Sequence, residues 1–357
     1  MRIGILTFTD GTNIGQRLQN YALQRIIVGL CKGSEVFTIR QGYPFNVVKR
    51  DIKKMLSFLK APKKERKKLQ RQKKFDAFNK QNIAFYSEKM PFSGDNLRFA
   101  RKFDAFIVGS DQIWNPDSPF VGSNFFLTFA KKEQRLTYAP SFSVDEIPEE
   151  KLEQYKDYLN GFDMITVRED KGAEIVKHIT GKNATVVLDP TLLLSRNDYD
   201  EIKTQCVIRP DKPYILTMFL GSYPEAELKQ ISDSLGIQVL RVDSNAVIGP
   251  DEFLDLVEHA CLILTDSYHI TIFSIIYERP FVNFMRSGSG ERMNSRFETL
   301  YRLLGIDGRT WAESRNDIGD IMQMDYSRIS RCLNKERERC RDILEEELRG
   351  IKITNAE

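Results

Sequence analysis

Short apolar runs alternate with longer stretches of helical periodicity along nearly the whole chain. In the first half the runs fall at residues 2–8, 35–39, 103–108, 135–139, 163–167 and 185–188, and in the second at 214–219, 238–242, 261–264 and 281–284. Helical patterns lie between them at 16–30, 171–178, 224–235, 251–259 and 270–277. Strand and helix in succession predict parallel sheets with helices on both faces. A last amphipathic stretch, 326–348, sets Ile329, Leu333, Cys340, Ile343, Leu344 and Leu348 near helical spacing between charges. It predicts a long final helix packing back across a domain boundary.

Length then divides the pattern. A chain of 357 residues with 41% hydrophobic content is expected to form two domains. Asp189-Pro190-Thr191 reads as the linker, because proline there blocks both helix continuation and strand pairing. The predicted units are a Rossmann-like domain over 1–189, with a basic helical insertion at about 46–80, a second over 190–325, and a helix over 326–357. This α/β architecture of two doubly wound domains is GT-B-like, with the first domain expected on the acceptor side and the second on the donor side of a cleft. No apolar run approaches the roughly 20 residues needed to span a bilayer, and Met1-Arg2 leads straight into a strand, so a cytoplasmic protein is expected. Five cysteines at scattered positions suit reduced thiols and offer no metal-ligand spacing.

Charge adds a second feature. The formal net charge is +3, yet residues 49–74 hold thirteen Lys or Arg against two acids, which leaves 3 minus 11, or −8, on the rest. The run has two readings. It is the solvated face of a helix, or it meets an anionic membrane surface with Met55, Leu56, Phe58 and Leu59 as apolar contacts, which would make the protein peripheral at the inner face of the cell membrane. The acidic remainder and the absence of any nucleic-acid motif argue against nucleic acid.

Candidate chemistry sits where the strands end. The loop after the first run, Asp10 to Gly15, lacks GxGxxG and a Walker lysine. Asn13, Gln16, Arg17, Asn20 and Gln24 then form a polar row, either exposed or a sugar- or phosphate-binding edge. After the third run come Asp111, Gln112, Trp114 and Asn115, a flat apolar face beside directional polar groups as carbohydrate sites use; core packing of Trp114 is the alternative. Arg168 ends the fifth run, placed to clamp a carboxylate or phosphate, or else to pair with Glu169 or Asp170. The turn Asp266-Ser267-Tyr268-His269 opens a helix, an anion-favouring place. There Asp266 serves to orient His269, to accept a proton, or as an N-cap. The loop Arg286 to Arg292 can cradle an anion with backbone N–H groups or is a plain connection.

Five stretches together resemble the polysaccharide pyruvyl transferase family: 13–24, Val108-Gly-Ser-Asp-Gln-Ile-Trp-Asn115, Val167-Arg-Glu-Asp170, Leu188-Asp-Pro-Thr191 and Leu264-Thr-Asp-Ser-Tyr-His269 with Pro280 beyond. The resemblance implies transfer of the enolpyruvyl unit of phosphoenolpyruvate onto two hydroxyls of a sugar in a surface-polysaccharide precursor, often lipid-linked, with release of phosphate. It places the donor-site histidine on His269 and the donor-binding arginine on Arg168. Many members carry Arg-Leu-His where this chain has Ser267-Tyr268-His269, so a second donor cation is missing, and Arg286, Arg292 or Arg17 are the candidate replacements. The chemistry needs an acid, an anion clamp and a base, for which His269, the arginines, and Asp266 or Asp111 are suited. No cofactor or metal is implied beyond phosphoenolpyruvate as co-substrate. A GT-B-type glycosyltransferase with a nucleotide-sugar donor and a non-catalytic glycan-binding scaffold are the competing readings.

Overall fold

Every predicted apolar run contains a strand. The computed structural model describes residues 1–42, 62–92, 96–315 and 317–351. β1 (Arg2–Leu6), β2 (Glu35–Thr38), β3 (Ala105–Val108) and β4 (Arg135–Thr137) form a parallel sheet of order β2-β1-β3-β4. β5 (Thr166–Val167) and β6 (Thr185–Val186) form a parallel pair of two residues each. They are shorter than the apolar runs because the ladder beyond β4 is interrupted: Ala139 takes a left-handed φ of 56°. Threonine side chains make the join instead, Thr166 N donating to Thr137 Oγ1 at 2.7 Å and Ala139 N to Thr166 Oγ1 at 3.3 Å.

β7 (Tyr214–Met218), β8 (Gln238–Arg241), β9 (Leu262–Thr265) and β10 (Phe281–Asn283) build a second parallel sheet of order β10-β9-β7-β8. In both sheets the chain crosses to the other side of its first strand, which creates a crevice at the strands' carboxyl ends. The longer helices include α1 (Ile14–Leu30), α2 (Pro62–Asn82), α3 (Asp170–Thr180), α4 (Glu225–Leu235), α5 (Pro250–His259), α6 (Tyr268–Ile276), α7 (Ser295–Leu304) and α8 (Tyr326–Arg349). α1 starts at Asn13, whose side chain accepts from Gln16 N at 3.2 Å.

The final helix does pack back across the fold. Ile329, Leu333, Cys340, Leu344 and Leu348 are buried in the largest core cluster, which draws residues from both sheets. Arg337 donates to Leu194 O at 2.8 Å, Arg341 to Leu193 O at 2.6 Å and Arg339 to Val186 O at 2.9 Å, so α8 fastens the segment that joins the sheets. On the same helix Glu347 is buried with both carboxyl oxygens lacking a hydrogen-bond partner, and burial holds its pKa well above the usual range. Because the folded pKa is raised, this group's stabilising contribution is complete below the unfolded value of about 4.3 and is lost as pH rises above it, with a slope approaching about 1.4 kcal/mol per pH unit. Glu347→Gln is therefore expected to flatten the fall in Tm between pH 5 and 8; an unchanged slope would count against the assignment.

Two predicted assignments change. Trp114 is not on an acceptor surface: its side chain is fully buried, stacked on Phe126 at 5.3 Å and 7°, with Nε1 donating to Phe125 O at 2.9 Å. Its N–H and its ring face are both engaged within the core. The basic segment is partly accounted for by α2, which is more than a solvated face. Arg71 is buried and donates to Thr12 O (3.2 Å) beside the first sheet and to Asp243 O (3.1 Å) and Ala246 O (2.6 Å) beside the second. Lys74 pairs with Glu252 at 2.5 Å. Residues 49–61, with the apolar positions proposed for membrane contact, lie outside the described residues. Among those described, no helix is long and apolar enough to cross a membrane.

Candidate active site

Residues following four strands line one cavity of about 610 Å³. Thr12, Asn13 and Gly15 come after β1, Phe219 to Gly221 after β7, Asp243 to Asn245 after β8, and Ser267 after β9, with Arg71 of α2 at the side. Carboxyl ends of both sheets thus share a cleft, the place where open α/β folds bind ligands.

At its floor α6 begins. Ser267 is the N-cap in extended conformation, and its N–H donates to Thr265 Oγ1 at 3.0 Å. Two residues on, the His269 ring lies against Gly15 so closely that a Cβ there would fall 2.3 Å from Nδ1. The only side chain His269 can tolerate at that position is a hydrogen. Gly15→Ala is accordingly expected to displace the imidazole and to lower kcat by about 10²-fold, the scale of an ångström-sized misplacement. The helix itself should remain, since alanine is the better helix former. A normal Tm with unchanged kcat would show that the ring's position does not matter.

On its other side His269 Nε2 is 3.6 Å from Asp189 Oδ2. Asp189 is fully buried and central. Its Oδ2 also accepts from Arg168 Nη1 at 2.8 Å and Ser110 Oγ at 2.7 Å, and its Oδ1 accepts from Thr191 N at 3.0 Å and Thr191 Oγ1 at 2.6 Å. Burial pushes this carboxyl up, but the His269 and Arg168 charges and the donated bonds outweigh it and hold the group well below the ordinary carboxylate range. The reading of Asp189-Pro190-Thr191 as only a linker is corrected: the proline starts a one-turn helix, Pro190–Leu193, that Asp189 caps while reaching into the site.

Arg168 follows neither predicted role in simple form. Its chief ion pair is Asp189; Glu169 is 3.9 Å away, and Asp170 pairs instead with Arg302 at 2.7 Å. Its guanidinium is fully buried over the Tyr268 ring, 4.8 Å from the centroid. Burial opposes its charge, yet Asp189, Tyr268 and Glu169 raise its pKa above the ordinary value. Burial also pushes the Tyr268 hydroxyl up. Glu169 is anchored by Ser141 Oγ at 2.9 Å and Phe142 N at 3.0 Å. Asp111 is buried and carries a left-handed φ of 83°; with Ala139 and Ser143, also left-handed, it concentrates backbone strain at the carboxyl ends of β3 and β4. Such strain gathers at functional sites.

Other candidates are reassigned. Asp266 is not a free base: its oxygens accept from Leu220 N and Gly221 N, both at 2.7 Å, and from Arg286 Nε at 2.9 Å, so it pins the loop after β7. Nor is it the N-cap, which is Ser267. Arg286 is anchored in that pair. Arg17 is buried and donates to Phe8 O (3.3 Å) and Gly11 O (2.9 Å), which shapes the first loop rather than a donor or acceptor. Arg292 is exposed, 3.9 Å from Asp117, and lines a different cavity of about 640 Å³. Asn13 lines the cleft while capping α1, and Gln16, Gln112 and Asn115 are half-buried. Asn115 holds its own turn through Asp117 N at 2.8 Å. Asp189 and Arg71 are not among the residues expected at the site, yet Asp189 faces His269 and Arg71 lines the cleft; Leu188-Asp-Pro-Thr191 carries a signal as one of the five family-like stretches and otherwise reads as a linker.

Two doubly wound domains meeting at a cleft define a GT-B-like α/β protein. A UDP-N-acetylglucosamine 2-epimerase from Rickettsia bellii has this arrangement at 10% identity, with 98% of this chain and 96% of that chain covered and a TM-score of 0.50. A UDP-GlcNAc 2-epimerase from Neisseria meningitidis bound to UDP-GlcNAc matches at 9% identity, 98% and 99% coverage and a TM-score of 0.45. An ADP-heptose LPS heptosyltransferase II from E. coli matches at 12% identity, 95% and 99% coverage and a TM-score of 0.39. Curated protein sequences give no match. The family described as polysaccharide pyruvyl transferase matches residues 13–288, and the chain belongs to it. It is a transferase with a pyruvyl-transfer role in polysaccharide biosynthesis.

Proposed function

We propose that the protein transfers the enolpyruvyl unit of phosphoenolpyruvate onto two hydroxyls of one sugar in a surface-polysaccharide precursor, forming a pyruvate ketal and releasing phosphate. The observation that carries this reading is the buried His269–Asp189–Arg168 constellation beside the interdomain cleft. An imidazole held against a carboxylate is a proton donor with a fixed orientation. His269 protonates the donor's methylene carbon, which makes C2 electrophilic. One sugar hydroxyl adds to C2 and gives its proton to Asp111. The bond from C2 to the phosphate oxygen then breaks, and the departing phosphate takes the proton from Asp111. The second hydroxyl closes the ring at C2 and returns its proton to His269. Of the two hydroxyl protons lost, one is thus balanced in the new methyl group and one on phosphate. Asp189 touches no reacting atom in this scheme; it is a positioning residue for His269.

The test is incubation of the purified protein with phosphoenolpyruvate and a panel of free and lipid-linked glycans. Phosphate release matched by an acid-labile ketal on the glycan is expected. Failure to bind phosphoenolpyruvate, with no phosphate released for any acceptor, would overturn the proposal.

A further inference from the structure

α2 has two faces, and packing accounts for only one of them. Arg71, Phe75 and Phe78, spaced by four and three residues, are buried, and Arg71 holds carbonyls on both sides of the cleft. Arg66, Leu69 and Lys73 lie on the opposite side of a helix with 3.6 residues per turn, and all three are exposed. Lys67 is exposed at the flank. Lys68 is neutralised by Glu65 at 2.7 Å, whereas Arg66, Lys67 and Lys73 have no hydrogen bond or ion pair among the described residues.

Beside this face the chain makes a turn with an apolar tip. Arg209 N donates to Cys206 O at 3.1 Å, which leaves Val207 and Ile208 as the two central residues. Turn tips favour Gly, Pro, Asn, Asp and Ser, and valine and isoleucine are ordinarily buried. Here Val207 is 89% and Ile208 43% exposed. Their neighbours hold them outward: Cys206 N donates to Asp255 Oδ2 at 2.9 Å and Arg209 pairs with Asp255 at 2.7 Å, so both ends of the turn are pinned to α5. Ile208 and Lys67 line one cavity of about 850 Å³, which places the apolar tip against the basic helix. That cavity shares Arg241, Asp243 and Asn245 with the interdomain cleft.

Exposed aliphatic side chains next to unneutralised cations match the boundary layer of an anionic bilayer. There the aliphatic groups enter the acyl region while lysine and arginine stay at the headgroup phosphates. Outside residues 49–74 the chain is net acidic, so a surface that attracts this face repels the others and orients the molecule. We infer that the outer face of α2 and the Val207–Ile208 turn form a docking surface for an anionic membrane, which sets the mouth of the cleft beside the lipid. The inference does not depend on the donor assignment made above.

Flotation of the whole chain with vesicles of phosphatidylcholine, alone or with about 30% phosphatidylglycerol, tests it. Binding to the anionic vesicles only is expected, weakening as salt rises from about 0.1 M to about 0.5 M. Arg66→Ala with Lys73→Ala should weaken partitioning by about 30-fold, at about fivefold for each cation. Val207→Ser with Ile208→Ser should weaken it by about 10-fold. These positions are exposed, so an unchanged Tm is expected in both double variants. Val207→Trp should show a blue shift of its added fluorescence on anionic vesicles. Three results would each overturn the inference: no vesicle binding by the wild type, binding that both double variants leave intact, or a vesicle-bound Val207→Trp whose emission does not move.

Discussion

Asp189→Ala is expected to lose both the fold's stability and the activity. The substitution strips the partner from a fully buried guanidinium, that of Arg168, and breaking such a pair by removing one side costs about 3–5 kcal/mol. It also frees Ser110 Oγ and both Thr191 donors. Asp189→Asn separates the roles, since the amide keeps shape and some hydrogen bonds but not charge. Because the Asp189 carboxyl is held below its ordinary value, its contribution is present above the unfolded pKa of about 3.9 and is lost as pH falls below that. The stability gap between wild type and Asp189→Asn should therefore be full at pH 7 and shrink under acid conditions. A merely structural Asp189 would leave the pH profile of kcat where it is. A positioning residue would not, because the imidazole would lose the carboxylate held 3.6 Å from its Nε2. An unshifted profile in a folded Asp189→Asn enzyme would remove Asp189 from the mechanism.

His269→Ala should fold and lose activity. The ring is packed but makes no hydrogen bond within 3.5 Å through Nε2, so its removal leaves a small void and no buried charge stranded. Loss of a general acid costs about 10²- to 10⁴-fold in kcat. His269→Gln, which can occupy the space beside Gly15 but cannot deliver a proton near neutral pH, should be no better. The measurement is phosphate release under saturating phosphoenolpyruvate, with donor binding followed separately. Retained donor binding with lost turnover fits an acid; loss of both in equal measure would make His269 a binding residue only. His259 and His178 serve as contrasts. His259 contacts Arg209 and Asp255 at the exposed end of α5, and His178 lies on α3, far along the chain from the cleft loops, so neither substitution should change turnover.

The carboxylate, histidine and arginine that carry these predictions come from different places in the chain, and this governs how much could be read beforehand. His269 was legible because a polar turn between an apolar strand and an apolar helix is itself a local pattern. Arg168 was legible as a charged residue at a strand's end, though not its partner. Asp189 lies 21 residues from Arg168 and 80 from His269, and no local rule joins them. Asp266 was misassigned for the same reason: its three donors come from the loop after β7 and from Arg286, both remote from it in sequence. Trp114 looked like a ligand platform because its sequence neighbours are polar, whereas in space its neighbours are Phe126, Phe142 and Phe162.

What the sequence determined by itself is the order of strands and helices, the parallel sheets, the final helix with its buried stripe, and the turn bearing His269. Those features follow from periodicity and punctuation, which act over a few residues at a time. Only the tertiary structure decided that Asp189 would stand at the centre of the site and that α2 would strap the two halves through Arg71. Each of these depends on which carboxyl ends face one another once two sheets dock. That is set by burial of surfaces drawn from the whole chain, for which no short stretch carries a signal.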